Sequence, residues 1–435
     1  MPPPVLRVRA PLLAPGARGL RFHPDGLLEI GEDGLVVTSG PFPSEAPGPF
    51  TDLRPLWILP GLVDLHTHLP QLEAVACDGL ELLPWLETHV FPAEAAFADP
   101  DHAERIAERF IQALLAAGTT TAVLWGSSHP EATERIFRVA QRTGIRAVVG
   151  LTLMDRNAPS GLLRPADRAL QDSEALCRRW HGTEQGRLRY AFTPRFAPAC
   201  TPALLRGAGE LARTHKAFVQ THLSENLREL EWVRELFPES PSYTAVYADH
   251  GLLGPRTLLG HGIHLEPAER NLIRESGATV VHCPSSNAFL QSGIMPLRRW
   301  MDEAISLGLG TDVGAGPELS LWREMATACT VSKLLRAGRP PEAEGRASDA
   351  PLRPGEAFAL ATLGGAAALG LADRLGCLEA GQEADFIVVD PRACDPLGRP
   401  GGDPRGVLAR LLYRADPGMV RASFVRGRRC FSREA

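Results

Sequence analysis

Two histidines one residue apart, His66 and His68 in GLVDLHTHLPQ, are the first residues in this chain whose types and spacing could do chemistry. Side chains alternate along a strand, so both imidazoles leave from one face at its end, where they can share a metal ion. Alone the pair is a weak motif, because two histidines on a solvated strand end look the same in sequence. Three further residues change its weight. His222 in FVQTHLSEN, His261 in LLGHGIHL and Asp312 in LGLGTDVGAG each lie at or near the end of a short apolar run. Imidazoles joined by a carboxylate suit Zn2+, and Fe2+ accepts the same donors. Such a metal lowers the pKa of bound water from about 15.7 to about 7, providing hydroxide at neutral pH. Asp312 is the group to accept its proton, and on residue type alone His261 counts as a further ligand.

Glu225 lies three residues beyond His222, in the loop leaving the same run, where it can carry protons between water, a ring nitrogen and a leaving amine. Arg195 and Phe196 in TPRF offer a planar donor fork beside an aromatic face, a combination suited to a flat heterocycle with carbonyl or ring-nitrogen acceptors. Gln71, just past the first histidine pair, can read the same ring through its amide. A two-metal site bridged by a carbamylated lysine is not expected. The chain has two lysines, and the run that would carry the bridge ends in Arg195, while Lys216 precedes the next run. His282 and Cys283 in VVHCPSSN fall near the site without a clear role. His23, His89, His102, His129, His181, His215, His250 and His264 lack any strand-end pattern and read as surface or supporting residues.

These residues need a scaffold that brings run ends together. Short β-branched runs at 61–68, 119–126, 146–154, 188–195, 217–223, 257–264, 278–283 and 306–312 alternate with amphipathic helical stretches, the pattern of βα units in a parallel sheet. Asp99 or Asp101 can cap one such helix, with Ile106, Phe110, Ala113, Leu114 and Ala117 at helical spacing and Gly118 at its end. Eight strands over about 250 residues match a (β/α)8 barrel, whose chemistry sits at the C-terminal strand ends. Before and after this region the chain reads as short β-segments. HPDG (23–26) and GEDG (31–34) look like hairpin turns, and ADFIVVD (384–390) and ASFVRGRR (422–429) look like strands separated by a Pro/Gly-rich stretch. The expected fold is therefore α/β: a distorted (β/α)8 TIM barrel over 59–374 and a small β-sandwich domain from both termini, 1–58 and 375–435.

The 435 residues carry a formal charge of -5, with 44% hydrophobic and 22% charged residues, the balance of a globular protein without the basic surface that collects phosphates. No nucleic-acid partner is expected, and no run approaches a membrane span or signal peptide, so the expected setting is the cytoplasm and the expected partner a small molecule. Eight cysteines are scattered with no CxxC pair, the usage of reduced thiols rather than of a disulfide framework.

At this point PGLVDLHTHLPQ (60–71), LLPWLETHVFPAE (82–94), TPRF (193–196), THLSEN (221–226), LLGHGIHL (258–265), HCPSSNAFLQSG (282–293), GLGTDVGAG (308–316) and ATLGGAAALGL (361–371) together resemble the amidohydrolase superfamily, and within it the guanine-deaminating branch. The resemblance implies that His66, His68, His222 and Asp312 hold one Zn2+, and that Glu225 is the proton shuttle. It implies that Gln71, Arg195 and Phe196, with His222 and Glu225, contact a purine base, and that His261 hydrogen-bonds the attacking water instead of ligating the metal. The implied reaction is hydrolysis at C2 of guanine with N3 protonated through Glu225, giving xanthine and ammonia, in a homodimer. The chain departs from the pattern at LEAVACDGLE (72–81) and WGSSHPE (125–131), loops that shape the pocket. Another aminopurine, 8-oxoguanine, or a triazine or chloro-heterocycle therefore stays open as substrate, as does a scaffold that has lost the chemistry.

Overall fold

The structure is a computed structural model that describes residues 6–16, 19–45, 48–338 and 350–433. The first five and last two residues of the expected terminal domain lie outside the described residues. The N-terminal strands are β1 (Leu6–Gly16), β2 (Gly19–Ile30), β3 (Val36–Pro41), β4 (Thr51–Asp52) and β5 (Trp57–Pro60). The barrel strands follow: β6 (Leu62–His68), β7 (Thr119–Trp125), β8 (Arg146–Gly150) continued by β9 (Thr152–Leu153), β10 (Leu188–Pro194), β11 (Phe218–Leu223), β12 (Thr257–His261), β13 (Thr279–His282) and β14 (Ser306–Leu309). The chain ends in β15 (Phe386–Val389), β16 (Val420–Val425) and β17 (Arg428–Ser432).

β6 to β14 form the parallel barrel in chain order, each strand beside the next. Val63, Leu65, Val123, Val148, Ala191, Phe218, Leu258 and Val281 fill its interior, and Ala366, Leu369 and Leu371, in and just after the short helix Gly365–Ala368, plug it. The ring is not closed by a ladder. It shuts at its C-terminal rim through two backbone hydrogen bonds, Asp312 N to His66 O (2.8 Å) and His68 N to Val313 O (2.8 Å). The distortion of the barrel is this seam between its first and last strands.

The outer helices follow from their sequences. In Pro100–Ala116, Asp99 accepts the Asp101 N–H, Pro100 starts the first turn, and Ile106, Phe110 and Leu114 are buried on one face. The helix stops before Gly118, whose φ of +91° a side chain would resist. No helix among the described residues is long and apolar enough to cross a membrane.

The two ends of the chain meet in one mixed sheet ordered β17-β16-β15-β5-β1-β2-β3, with β4 beside β1. One face buries Val8, Ala10, Leu28, Ile30, Ile58, Phe386 and Val388 together, while Leu13, Trp57, Leu59, Ile387 and Val420 join the barrel's core. Arg146, at the start of β8, locks the two parts. Its guanidinium reaches Asp385 (Nε to Oδ2 3.1 Å) and Glu383, which also receives Arg374 and Arg426.

Three sequence expectations are corrected. HPDG is not a turn: residues 23–26 run within β2, and the register shift opposite Ala10–Leu12 absorbs Pro24 as a bulge, where its missing N–H is harmless. GEDG does join β2 to β3. ASFVRGRR is not one strand but a hairpin, β16 turning at Arg426–Gly427 into β17. The Pro/Gly-rich stretch leads into an unexpected helix, Pro404–Tyr413, capped by Asp403 and burying Val407, Leu408, Leu411 and Leu412.

Candidate metal centre and substrate cavity

The strand ends place the chemistry-bearing residues on one rim. His66 and His68 end β6, His222 lies one residue from the end of β11, His261 ends β12, and Asp312 follows β14 by three residues. Two glycines make room. A Cβ at Gly260 would lie 2.7 Å from His66 Cε1, and one at Gly310 would lie 2.6 Å from His66 Cβ. Three rim residues, Ser224, His261 and Asp312, hold positive φ, at +49°, +72° and +48°.

His66 Nε2 lies 3.1 Å from His68 Nε2 and 3.2 Å from Asp312 Oδ1. His68 Nε2 lies 3.2 Å from His222 Nε2 and 3.1 Å from Asp312 Oδ1. Four donors on a tetrahedral ion at the usual bond lengths sit about 3.3 Å apart, so these four edges have the size of a zinc coordination shell. His261 also groups with His66, His222 and Asp312 within 4.8 Å. Its Nε2, however, faces the other carboxylate oxygen, Asp312 Oδ2, at 3.6 Å and Glu225 Oε2 at 3.4 Å. The edge lengths thus favour His68 over His261 as the fourth donor.

Supporting contacts aim the rings. His222 Nδ1 donates to the Arg195 carbonyl (2.7 Å), which leaves the Nε2 lone pair for the centre. His261 Nδ1 donates to Asn287 Oδ1 (2.8 Å). Asp64 is fully buried and ties the seam together, accepting from His66 N (3.1 Å), Thr311 N (3.1 Å) and Thr311 Oγ1 (2.6 Å). Trp125, at the end of β7, packs its ring centre 4.4 Å from that of His222 and 4.7 Å from that of His68.

Burial pushes the imidazole of His66 down to about 4 despite Asp312, and holds His222 well below its ordinary value with help from the neighbouring imidazoles. Neutral imidazoles are the form that binds a metal. Burial would raise Asp312, but hydrogen bonds from His66 and His68 outweigh it and keep the carboxyl well below the usual range. Glu225, also buried, is pushed up to about 7 by burial, against the pull of His261. Ser292 Oγ donates to its Oε1 at 3.2 Å.

The centre opens into a cavity lined by His68, Gln71, Arg195, Phe196, His222, Glu225, His261 and Asp312, and roofed by Leu82, Trp85 and Leu86. Every sequence-derived candidate except His66, which sits fully buried beneath, therefore faces one space. His282 does not line it; it is buried with its imidazole pushed down to about 3 by burial and by His261. None of the eight histidines read as supporting residues lines it.

Residues not singled out from sequence complete the wall. The segment 82–98 crosses the mouth, its Trp85 held by a hydrogen bond from Nε1 to Cys77 O (2.9 Å). From the same segment Glu94, 5% exposed, receives Arg195 Nη1 at 2.6 and 2.9 Å and Gln71 Nε2 at 2.9 Å. Glu229, which also lines the cavity, caps the loop after Glu225 by accepting the Glu225 and Asn226 N–H groups at 2.9 and 3.2 Å. Its N3 position in a capping box was legible in NLRE; Glu94 ends the segment LLPWLETHVFPAE quoted above, whose sequence gives it no partner.

A parallel barrel with this polar cluster on its C-terminal rim defines a class, and the chain belongs to the amidohydrolase family, whose model matches residues 57–430. It is 38% identical to the guanine deaminase of Escherichia coli (strain K12) over 383 residues, 87% of this chain and 84% of that protein. Among solved structures it is similar to guanine deaminase from C. acetobutylicum with bound guanine in the active site (TM-score 0.91, 32% identity, 98% of this chain and 100% of that one). It is also similar to an adenosine deaminase from Xanthomonas campestris with bound zinc (TM-score 0.84, 26% identity, 98% of this chain and 93% of that one).

Proposed function

We propose that this protein is a zinc-dependent guanine deaminase that converts guanine and water to xanthine and ammonia. The observation that carries the reading is one cavity in which four donor atoms stand at 3.1–3.2 Å edges beside a buried carboxyl, Glu225, and the donors of Gln71 and Arg195. The likeness to guanine deaminases over most of the chain supports the same substrate.

His66, His68 and His222 through Nε2, and Asp312 through Oδ1, would hold one Zn2+ per subunit, with Fe2+ accommodated by the same donors. When bound, the ion would supply hydroxide at neutral pH and a positive charge beside the attacking oxygen. Arg195 and Gln71 hold the ring by its acceptor atoms, and Phe196 packs on it. Asp312 accepts one proton of the attacking water, which leaves with the exocyclic amine as the C2–N bond breaks and C2=O forms, while Glu225 takes the other and delivers it to ring N3. Its position near neutrality suits both halves of that task. His261, steadied by Asn287, hydrogen-bonds the attacking water. The reading includes the two-domain division at 59–374, a homodimer and a cytoplasmic location; light scattering of the purified protein tests the dimer.

Ammonia release from guanine, 8-oxoguanine, adenine, cytosine and a chlorotriazine, with zinc-loaded and EDTA-treated protein, tests the proposal. Metal-dependent turnover of guanine is the expected result. An inert guanine with another ring deaminated would keep the site and overturn the substrate.

A further inference from the structure

The geometry points to Glu94 as a positioning residue that sets the hydrogen-bonding polarity and the net charge of the base-binding wall. Glu94 does not line the cavity; it acts through two residues that do. As a carboxylate it offers only acceptors, so the Gln71 group facing it at 2.9 Å is the amide Nε2. The Gly314 N–H, 3.2 Å from Gln71 Oε1, requires the oxygen on the other side. These two contacts fix the amide in one of its two orientations and leave a single N–H for the cavity. Arg195 gives Nη1 to both oxygens of Glu94, which are its hydrogen-bond partners among the described residues, so Nε and Nη2 are left for the substrate. Phe91, three residues before Glu94, stacks under the guanidinium at 5.4 Å.

The wall that meets the ring therefore presents N–H donors, which match a ring edge of carbonyl oxygen and unprotonated nitrogen and mismatch an edge bearing an amino group. The second consequence is electrical. Arg195 and Glu94 are 3% and 5% exposed, so their charges cancel inside the protein. A neutral base is then bound without an uncompensated cation that would retain an anionic purine, the form an oxidised or deaminated ring more readily takes. This inference rests on the purine reading of the cavity.

The test is Glu94→Gln, checked for zinc content and fold, with two readouts. For guanine, releasing Arg195 and Gln71 weakens the hydrogen bonds that hold the ring in ground and transition state alike and costs on the order of 100-fold in kcat/KM. The loss is carried in KM, with kcat within about tenfold, because the reacting groups are untouched. For urate, a purine anion at neutral pH, equilibrium titration is expected to show binding at least about tenfold tighter than wild type, since the buried guanidinium is left uncompensated. Unchanged guanine KM, or urate binding no tighter than wild type, in a folded variant overturns the inference. Glu94→Asp restores the charge but not the reach, so urate affinity returns to the wild-type level while guanine KM stays raised; wild-type KM in that variant also overturns it. An inert wild type would overturn the guanine reading, while the urate titration, which needs no turnover, still decides the role of Glu94.

Discussion

Replacing Glu383 by glutamine perturbs the ion cluster that locks the terminal sheet to the barrel. Burial alone would raise this carboxyl; Arg426, Arg146 and Arg374 outweigh it and hold it at about 2, against an ordinary 4.5. A folded-state value below the unfolded one stabilises the native state above the unfolded value and is lost as pH falls through the folded one. The difference corresponds to roughly 3 kcal/mol at neutral pH, reduced to about 2 by the solvent screening that partly exposed Arg374 admits. The variant also leaves Arg146 with Asp385 as its remaining carboxylate, so a total cost of about 3 kcal/mol is expected. For a chain of this length, that lowers the melting temperature by about 3 °C. Scanning calorimetry of both proteins from pH 7 to pH 4 checks this: the gap should be full at pH 6–7 and narrow below about pH 5. A gap that stays constant to pH 4, or a variant as stable as wild type at pH 7, refutes the reasoning.

Two further outcomes concern the site. Glu225→Gln should keep fold and zinc while ammonia release falls about 10²- to 10⁴-fold, the usual worth of a positioned proton carrier; near-normal turnover would remove Glu225 from that role. His68→Asn should lose stoichiometric zinc on metal analysis, whereas His261→Asn should retain one equivalent with little activity. The reverse pattern would assign His261 as the donor in place of His68.

Much of this was legible because barrel chemistry is written at strand ends. A period of two puts His66 and His68 on one face, and the run ends at His222, His261 and Asp312 point to one rim once eight parallel strands are counted. Less legible was whatever depends on distant partners. HPDG carries good turn residues, yet pairing with β1 turns them into a bulge. Glu94 lies on a helical segment whose sequence does not say which strand ends it crosses, so its hold on Arg195, 101 residues away, had no local sign. The helix Pro404–Tyr413 was readable, with Asp403 as cap, proline in its first turn and paired apolar residues one turn apart, but the surrounding Pro and Gly masked it.

The seam in the barrel gives the metal a mechanical part. His66 and His68 stand on one lip of the gap and Asp312 on the other; backbone hydrogen bonds at the rim, Asp64 beneath, the imidazole contacts to Asp312 and the Gly314 N–H to Gln71 Oε1 join the lips. An ion gripped by residues from both lips is a latch, and its binding free energy becomes free energy of ring closure. Stripping it should loosen amide hydrogens of β6 and of the 310–314 segment before those of β10, so that the opening of this barrel has a fixed place to begin.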